Sequence, residues 1–476
     1  MKKFIKTFRK TIIFFIKLLL YVSLFLVFFL IMGLENPPLL RPSRTAAVTL
    51  STFVIIALLL TAIYGKFDIG VRKSKPIIAS MSLNVVITDL VTYLMLVIMK
   101  TTDSNNRQFR PVDNILLLIV VIIIQILLIY FFTYMGNYVY FRMYPAERCC
   151  IVTDSKESLN EIAIAVGTYK KQYKIVSARD YRSEKLRESL LQCDTVFIYN
   201  VPVKERTEIM EFCYRYMRNV YISPEISDIA EISSKHVILD DVSLIYAPVK
   251  ELSIEQRIIK RTMDIVISAL AIVITSPIML ICAIAIKAND GGKIIFKQRR
   301  ATKNGHVFEV YKFRTMKENV KNYSAVSDDD RITSVGKVLR KYRLDELPQL
   351  FNILKGEMSL VGPRPEMLEN VYMYTKEYPE FTYRLRVKAG LTGYAQIAGK
   401  YNTSPKHKLI LDLIYIEQYS VLKDFKLLFQ TLIVLFKPDS TEAFAKKQVK
   451  ILKDLDADSN DWWEDDEPDS RKDAKK

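Results

Sequence analysis

Cysteine, histidine, glycine and tryptophan are all scarce in this chain of 476 residues. The five cysteines (Cys149, Cys150, Cys193, Cys213 and Cys282) are spaced neither as zinc ligands nor as a disulfide framework, so free thiols on the cytoplasmic side are expected. The three histidines (His236, His306 and His407) lie far apart in sequence, which disfavours a histidine-based metal centre. No glycine occurs in the turn "TDSKES" after the strand-like "CCIVTD". A dinucleotide fingerprint needs glycines there for close approach of the pyrophosphate, so bound nicotinamide or flavin is not expected. No recognised nucleic-acid module accompanies the net charge of +17, and nucleic acid is not an expected partner. A cleavable signal peptide is not expected either: the first apolar run is long and lacks a small-residue cleavage site.

What the chain has in abundance is apolar sequence, 50% of all residues, much of it in long runs. Four runs open the protein: Thr11 to Leu34, Ala46 to Tyr64, Ile77 to Met99 and Ile115 to Met135. Each spans a ~30 Å hydrocarbon core as a helix rising ~1.5 Å per residue. Lys2, Lys3, Lys6, Arg9 and Lys10 precede the first run, and Lys66, Arg72, Lys73 and Lys75 follow the second. By the positive-inside rule both basic clusters are cytoplasmic, so the chain is back in the cytoplasm after an even number of spans. The same rule explains the basic balance through cytoplasmic loops and anionic lipid head groups. Asp89 falls inside the third span; a functional group and a structural partner within the bundle both fit it.

Composition then divides the chain into residues 1–140 (a four-helix transmembrane domain), 141–252, 253–440 and 441–476. In the second block "CCIVTD", "YKIVSA", "TVFIYNV" and "NVYIS" alternate with helical patterns, which predicts a Rossmann-like α/β unit with a parallel sheet and no Gly-rich loop. The third block is expected to be α/β and to begin with an apolar helix over 263–287. Basic residues flank that helix on both sides, and Ser276-Pro277 lies in its middle. Proline removes a backbone hydrogen bond and bends a helix, and each limb is about half a bilayer long. A helix that breaks at Ser276 and Pro277 and returns to the same face satisfies both charges and lengths. The other reading is a fifth, kinked span. "VLKDFKLLFQTLIVLF" from Val421 fits an interfacial helix or a buried core helix. The last block carries nine acidic and no basic residues between Asp454 and Asp469, the composition of a disordered tail.

Basic clusters crowd the third block: Lys312-Phe313-Arg314, Arg331, Arg340 and Pro363-Arg364-Pro365. An arginine between two prolines sits on a stiff backbone suited to fixed phosphate recognition. Beside a membrane segment, the set points to anionic substrates such as a diphosphate donor and a lipid phosphate. Between the clusters stands "RLDELPQLFNIL", with Asp345 and Glu346 adjacent and Pro348 suited to a first helical turn. An acidic helix start worth ~0.3–1 kcal/mol explains the pair. So does a carboxylate nucleophile beside a Mg²⁺ ligand, since Mg²⁺ takes one or two carboxylates plus substrate phosphates. Local physics leaves the two readings even.

"KRTMDI", "FKQRRATKNGHVFEVYKFRTM", "DRITSVGKVLRKYRLDELPQLFNILKGEMSLVGPRPE", "LTGYAQIAGK" and "LDLIYIEQYS" decide between them. From Lys260 to about Lys437 the chain closely resembles the monotopic polyprenyl-phosphate phosphoglycosyl transferases, bacterial sugar transferases that initiate surface-glycan assembly. Before residue 254 the likeness to the large members is weaker. The resemblance implies an enzyme of the bacterial inner membrane, multi-pass, with its catalytic domain on the cytoplasmic face. It implies a UDP-sugar and undecaprenyl phosphate as substrates, Mg²⁺ as cofactor, membrane lipids as surroundings and a homodimer as a possible state. Asp345 would attack the β-phosphate, expel UMP and carry a phosphosugar until undecaprenyl phosphate removes it. Glu346 would support Mg²⁺, with Asp345 itself also a candidate ligand. Lys312, Arg314, Arg340 and Arg364 would bind phosphates, and Ser276 and Pro277 match the break of the family's re-entrant helix. Arg343, Thr302, Ala389 and Tyr394 depart from the family pattern, which usually has Ser, Gly, Pro and Trp there. A glycosyltransferase releasing UDP and an inactive membrane scaffold are the competing readings.

Overall fold

The computed structural model describes residues 8–102, 112, 114–248, 250–317, 330–399 and 404–435. The acidic tail with Trp462 and Trp463 lies outside them. The described residues form two compact units, one up to Ser223 and the other from Pro224.

The first unit opens with four long helices, α1 (Arg9–Glu35), α2 (Arg44–Tyr64), α3 (Ser74–Thr102) and α4 (Ile115–Met143). Ser43 starts α2 by accepting from the Ala46 N–H at 3.0 Å. Two apolar clusters hold the helices together: Phe28, Met32, Phe53, Leu96 and Val121 in one, Leu20, Ile77, Met81 and Ile129 in the other. Asp89 is fully buried within α3. Beyond α4, strands β1 (Glu147–Thr153), β2 (Tyr173–Asp180), β3 (Thr195–Tyr199) and β4 (Asn219–Ile222) form one parallel sheet in the order β2-β1-β3-β4. All four strands read from sequence are present. Their apolar residues bury on both faces, as a parallel sheet covered by helices requires.

The second unit takes in the segment from Pro224 that sequence had grouped with the α/β block. Contacts with residues far along the chain explain this: Ile229 joins the second unit's core, Ser233 Oγ donates to the Glu417 carbonyl at 2.8 Å, and Lys406 pairs with Glu225 at 2.9 Å. A two-stranded hairpin, β5 (Lys235–Leu239) with β6 (Val242–Tyr246), follows. Then comes α5 (Ile254–Asp290), 37 residues long, started by a Ser253/Gln256 capping box and ended by left-handed Gly291.

α5 runs without interruption through Ser276 and Pro277, where two limbs separated by a break were expected. Pro277 has no N–H to give the Val273 carbonyl, four residues back. The Ser276 hydroxyl donates to that same carbonyl at 2.8 Å, so the acceptor is satisfied and the helix continues through an apolar stretch. Residues on either side of Pro277 pack on this one unit. Ile267, Ala271 and Ile272 join the main core; Cys282 and Ile286 pack with Phe313 and Leu339; and Leu347 touches both clusters.

The remaining elements are an antiparallel pair, β7 (Ile295–Ala301) with β8 (Val307–Phe313), then α6 (Ser334–Lys341) and α7 (Gln349–Lys355), and a short parallel pair, β9 (Ser359–Val361) with β10 (Gly390–Thr392). α8 (Pro405–Glu417) and α9 (Val421–Leu435) complete the unit. Among the described residues five helices, α1 to α5, are long and apolar enough to cross a membrane by length and composition, and the chain is a membrane protein.

A buried polar knot fastens α5 to the rest. Lys260 Nζ bonds Asp424 Oδ2 at 2.5 Å, the Val361 carbonyl at 2.9 Å and the Tyr415 hydroxyl at 3.3 Å. Asp264 Oδ1 accepts from Ser359 Oγ and the Leu360 N–H at 3.0 and 2.9 Å. Burial pushes the Asp424 carboxyl up although Lys260 opposes it, so the pair orients the helix more than it stabilises the fold. Asp424→Ala is expected to lower stability by ~3–5 kcal/mol by leaving Lys260 buried without its partner, and Lys260→Met with Asp424→Leu to recover much of the loss. Thermal unfolding of the purified protein checks this; equal losses in the single and double variants would contradict it.

Candidate active site

Asp345 and Glu346 lie in a single 3-10 turn, Leu344–Glu346, entered through left-handed Arg343 (φ 54°). Pro348 is the N-cap of α7 rather than its first helical residue, and neither acid caps that helix. Neither acid makes a side-chain cap bond to that helix, and Leu347 and Pro348, both right-handed helical, join the acid turn to it.

Glu346 points at two cations. Lys312 Nζ from β8 stands 3.0 Å from its Oε1, and Arg364 Nη2 from the Pro363–Pro365 loop stands 2.8 Å from the same oxygen. Burial pushes the Glu346 carboxyl up, but Arg364 and Lys312 outweigh burial and hold it well below the usual carboxylate range. With its folded value below the unfolded ~4.3, this triad stabilises fully above that pH and weakens only as pH falls through the lower folded value.

Asp345 shifts the opposite way. Burial and the neighbouring Glu346 push its carboxyl up, while Lys312 and Arg340 pull it down. A bond from its own backbone N–H also lowers it, so burial and Glu346 stand against two bases and the backbone of the turn. Arg340 is fixed through its Nε, which donates to Thr315 Oγ1 at 2.9 Å. α6 reaches that contact because Gly336 sits where any Cβ would lie 2.1 Å from the Thr315 carbonyl oxygen. Of the four bases named from sequence, Lys312, Arg340 and Arg364 gather around the acid pair. Arg314 instead pairs with Asp290 at the end of α5.

Several residues that build this site carry no local sequence signal. Asn352, fully buried on α7, accepts from the Tyr311 N–H at 3.0 Å and donates to the Glu309 carbonyl at 2.7 Å. It therefore sets α7 against the strand that carries Lys312. Arg384 and Asp412 form a buried ion pair at 2.7 Å, and Arg384 Nη2 also donates to the Arg364 carbonyl at 2.9 Å. Arg300 Nη1 donates to the next carbonyl, that of Pro365, at 3.0 Å. Two arginines thus grip the backbone that presents Arg364. Arg261 closes the far end of α7 through the Ile353 and Leu354 carbonyls, both at 2.7 Å.

Three of the departures from the family pattern have a structural account. Thr302 Oγ1 donates to the Glu357 carbonyl and accepts from the Ala389 N–H, both at 3.1 Å. Glycine at 302 would lack the hydroxyl, and proline at 389 would lack the N–H, so the two changes belong together. Tyr394 keeps an aromatic ring under Lys423, whose Nζ lies 5.1 Å from its centroid.

Among the described residues no group of three or more His, Cys, Asp or Glu side chains is placed to hold a metal. Asp345 and Glu346 are two hard oxygen donors, the number that Mg²⁺ takes when substrate phosphates complete its shell. The donor set fits a cation shared with substrate, and would hold it through those two carboxylates.

Paired acids fixed among lysine and arginine side chains, in a unit carrying a long apolar helix, make a site whose chemistry suits anionic ligands in a membrane protein. Sequence comparison places it further: residues 255–438 match the bacterial sugar transferase model. Over 180 residues the chain is 42% identical to a UDP-N-acetylgalactosamine-undecaprenyl-phosphate N-acetylgalactosaminephosphotransferase of Aeromonas hydrophila, covering 37% of this chain and 43% of that protein. It is 40% identical over 183 residues to a UDP-glucose:undecaprenyl-phosphate glucose-1-phosphate transferase of Escherichia coli, covering 37% and 39%. It is also 40% identical over 191 residues to the exopolysaccharide production protein ExoY of Sinorhizobium fredii, covering 36% of this chain and 83% of that shorter relative. The chain belongs to the bacterial sugar transferase family, and the match spans less than half the length of the two larger relatives.

Ala389→Pro is expected to cost ~0.5–1.5 kcal/mol by deleting its hydrogen bond to Thr302, and to cost markedly less in a Thr302→Gly background. A double-mutant cycle by thermal unfolding measures the coupling; strictly additive losses would show that the two positions are independent.

Proposed function

We propose that this protein transfers a sugar 1-phosphate from a UDP-sugar to undecaprenyl phosphate, through a phosphosugar held on Asp345, as the first step of surface-glycan assembly. The observation that carries the reading is the arrangement of Asp345 beside a Glu346 carboxylate bound by Lys312 and Arg364, within the segment matched to the family.

In the first step an Asp345 carboxylate oxygen attacks the β-phosphorus of the donor. The bond from that phosphorus to the bridging oxygen breaks, and UMP departs with the oxygen. Lys312, Arg340 and Arg364 neutralise phosphate charge, and Asp345 and Glu346 would hold a divalent cation, which would supply further charge stabilisation when bound. In the second step a phosphate oxygen of undecaprenyl phosphate attacks the same phosphorus, releasing the Asp345 carboxylate and forming the lipid diphosphosugar. Arg314, paired with Asp290 in the free protein, would have to leave that partner to contact a phosphate.

The same reading fixes the topology. α1 to α4 cross the inner membrane, and α5 enters from the cytoplasmic face and returns to it, bending at Pro277 with Ser276 satisfying the freed carbonyl. Support comes from the limbs on both sides of Pro277 packing on the one unit that carries the site, although 37 residues would make a straight rod ~56 Å long. α9 lies along the membrane surface.

Purified protein given undecaprenyl phosphate, Mg²⁺ and a panel of UDP-sugars is expected to release UMP, and Asp345→Asn to abolish release. UDP as the product would instead mark a direct glycosyltransferase, and no turnover across the panel a scaffold. Because folding raises the Asp345 carboxyl, the acid limb of kcat/KM is expected above the ordinary aspartate value of ~3.9. A limb at or below that value would remove Asp345 as the titrating nucleophile. A cysteine placed on each flank of α5 is expected to react with a membrane-impermeant reagent from the same face; reaction from opposite faces would make α5 a crossing helix.

A further inference from the structure

We infer that Glu346 is the resident counter-ion of the phosphate site, and that a nucleotide diphosphate and a divalent cation enter together by exchanging partners with it. The inference rests on the proposed function, because it orders binding events at the same site.

Lys312 Nζ and Arg364 Nη2 are cations that the reading assigns to substrate phosphate, and both already stand on Glu346 Oε1, at 3.0 and 2.8 Å. A diphosphate oxygen offers them the same chemistry that the carboxylate oxygen does. Arriving alone, it would have to strip both bases from a glutamate whose side chain is only 15% exposed. That carboxylate would then be left largely buried, without a counter-charge, beside further negative charge and next to Asp345.

A divalent cation removes the obstacle. Bound between the freed carboxylate and the diphosphate, it supplies Glu346 with a new positive partner while Lys312 and Arg364 turn to phosphate. Both bases stand on Oε1, and Oε2 has no hydrogen bond among the described residues, so one oxygen of the carboxylate is not taken by a base. The exchange is confined to side chains, because Arg384 and Arg300 hold the Arg364 and Pro365 carbonyls in place. Glu346 thus acts as an anion stand-in when the site is empty and as a cation ligand when it is full. Nucleotide without cation meets an occupied site.

The test is calorimetric titration of the full chain in lipid nanodiscs with UDP, in Mg²⁺ and in EDTA. Wild-type protein is expected to bind UDP about tenfold or more tightly with Mg²⁺, a difference of at least ~1.4 kcal/mol. Glu346→Gln keeps the shape and removes the charge that holds the bases. It is expected to bind UDP in EDTA about tenfold more tightly than wild type does in EDTA, and to lose most of its Mg²⁺ dependence. Glu346→Asp, too short to hold both bases, is expected to shift the same way by less. Equal wild-type affinities in Mg²⁺ and EDTA, or no gain for either variant in EDTA, would overturn the exchange. UDP binding to none of the proteins in either condition would sink the transferase reading itself, and this inference with it.

Discussion

One carboxylate oxygen, Glu346 Oε1, gathers a lysine from a strand and an arginine from a proline-bounded loop. Those three side chains come from segments that nothing else in the sequence ties together, and the surrounding unit keeps them in register. Asn352 sets the helix after the acid turn against the Lys312 strand, and Arg384 and Arg300 hold the loop that carries Arg364. Asp345 is positioned as a consequence. It shares the 3-10 turn with Glu346, and it meets the fields of Lys312 and Arg340 without being claimed by either. In the reaction proposed above, a carboxylate kept near cations but not paired to one would retain an oxygen for attack on phosphorus, and that would separate the roles of two adjacent acids.

A second constraint acts at the apolar helix α5. Its anchoring residues, Lys260 and Asp264, are tied to the β9 segment and to α9, and its far end packs on Phe313 at the close of the Lys312 strand. The long apolar helix and the strand that carries Lys312 are therefore one mechanical assembly. The Ser276 hydroxyl on the carbonyl freed by Pro277 shows how a proline is carried inside that helix without an unsatisfied polar group in an apolar setting.

Much of this was legible in the sequence because it is local. Apolar run length marked the long helices, strand–helix alternation marked the parallel sheet, and the motif-dense stretch marked the acid pair and its bases. What was not legible depends on contacts between distant residues. Pro348 beside "DE" reads as the first turn of a helix, yet Arg343 in a left-handed conformation diverts the acids into their own turn. Arg314 is as basic as Lys312, two residues away, but Asp290 takes it. Arg384 and Asp412 lie 28 residues apart, and only folding shows that they are a pair standing behind Arg364. Thr302 and Ala389 look like two separate departures until one hydroxyl is seen to accept the other's N–H.

The account centres on a phosphosugar carried by Asp345, and trapping it is the most direct measurement. Protein incubated with a UDP-sugar it accepts and Mg²⁺, but no polyprenyl phosphate, should gain the mass of one sugar phosphate. Fragmentation should place that mass on the peptide containing Asp345, and added undecaprenyl phosphate should remove it. Steady release of UMP into product with no such adduct, or an adduct mapped to another residue, would contradict the account.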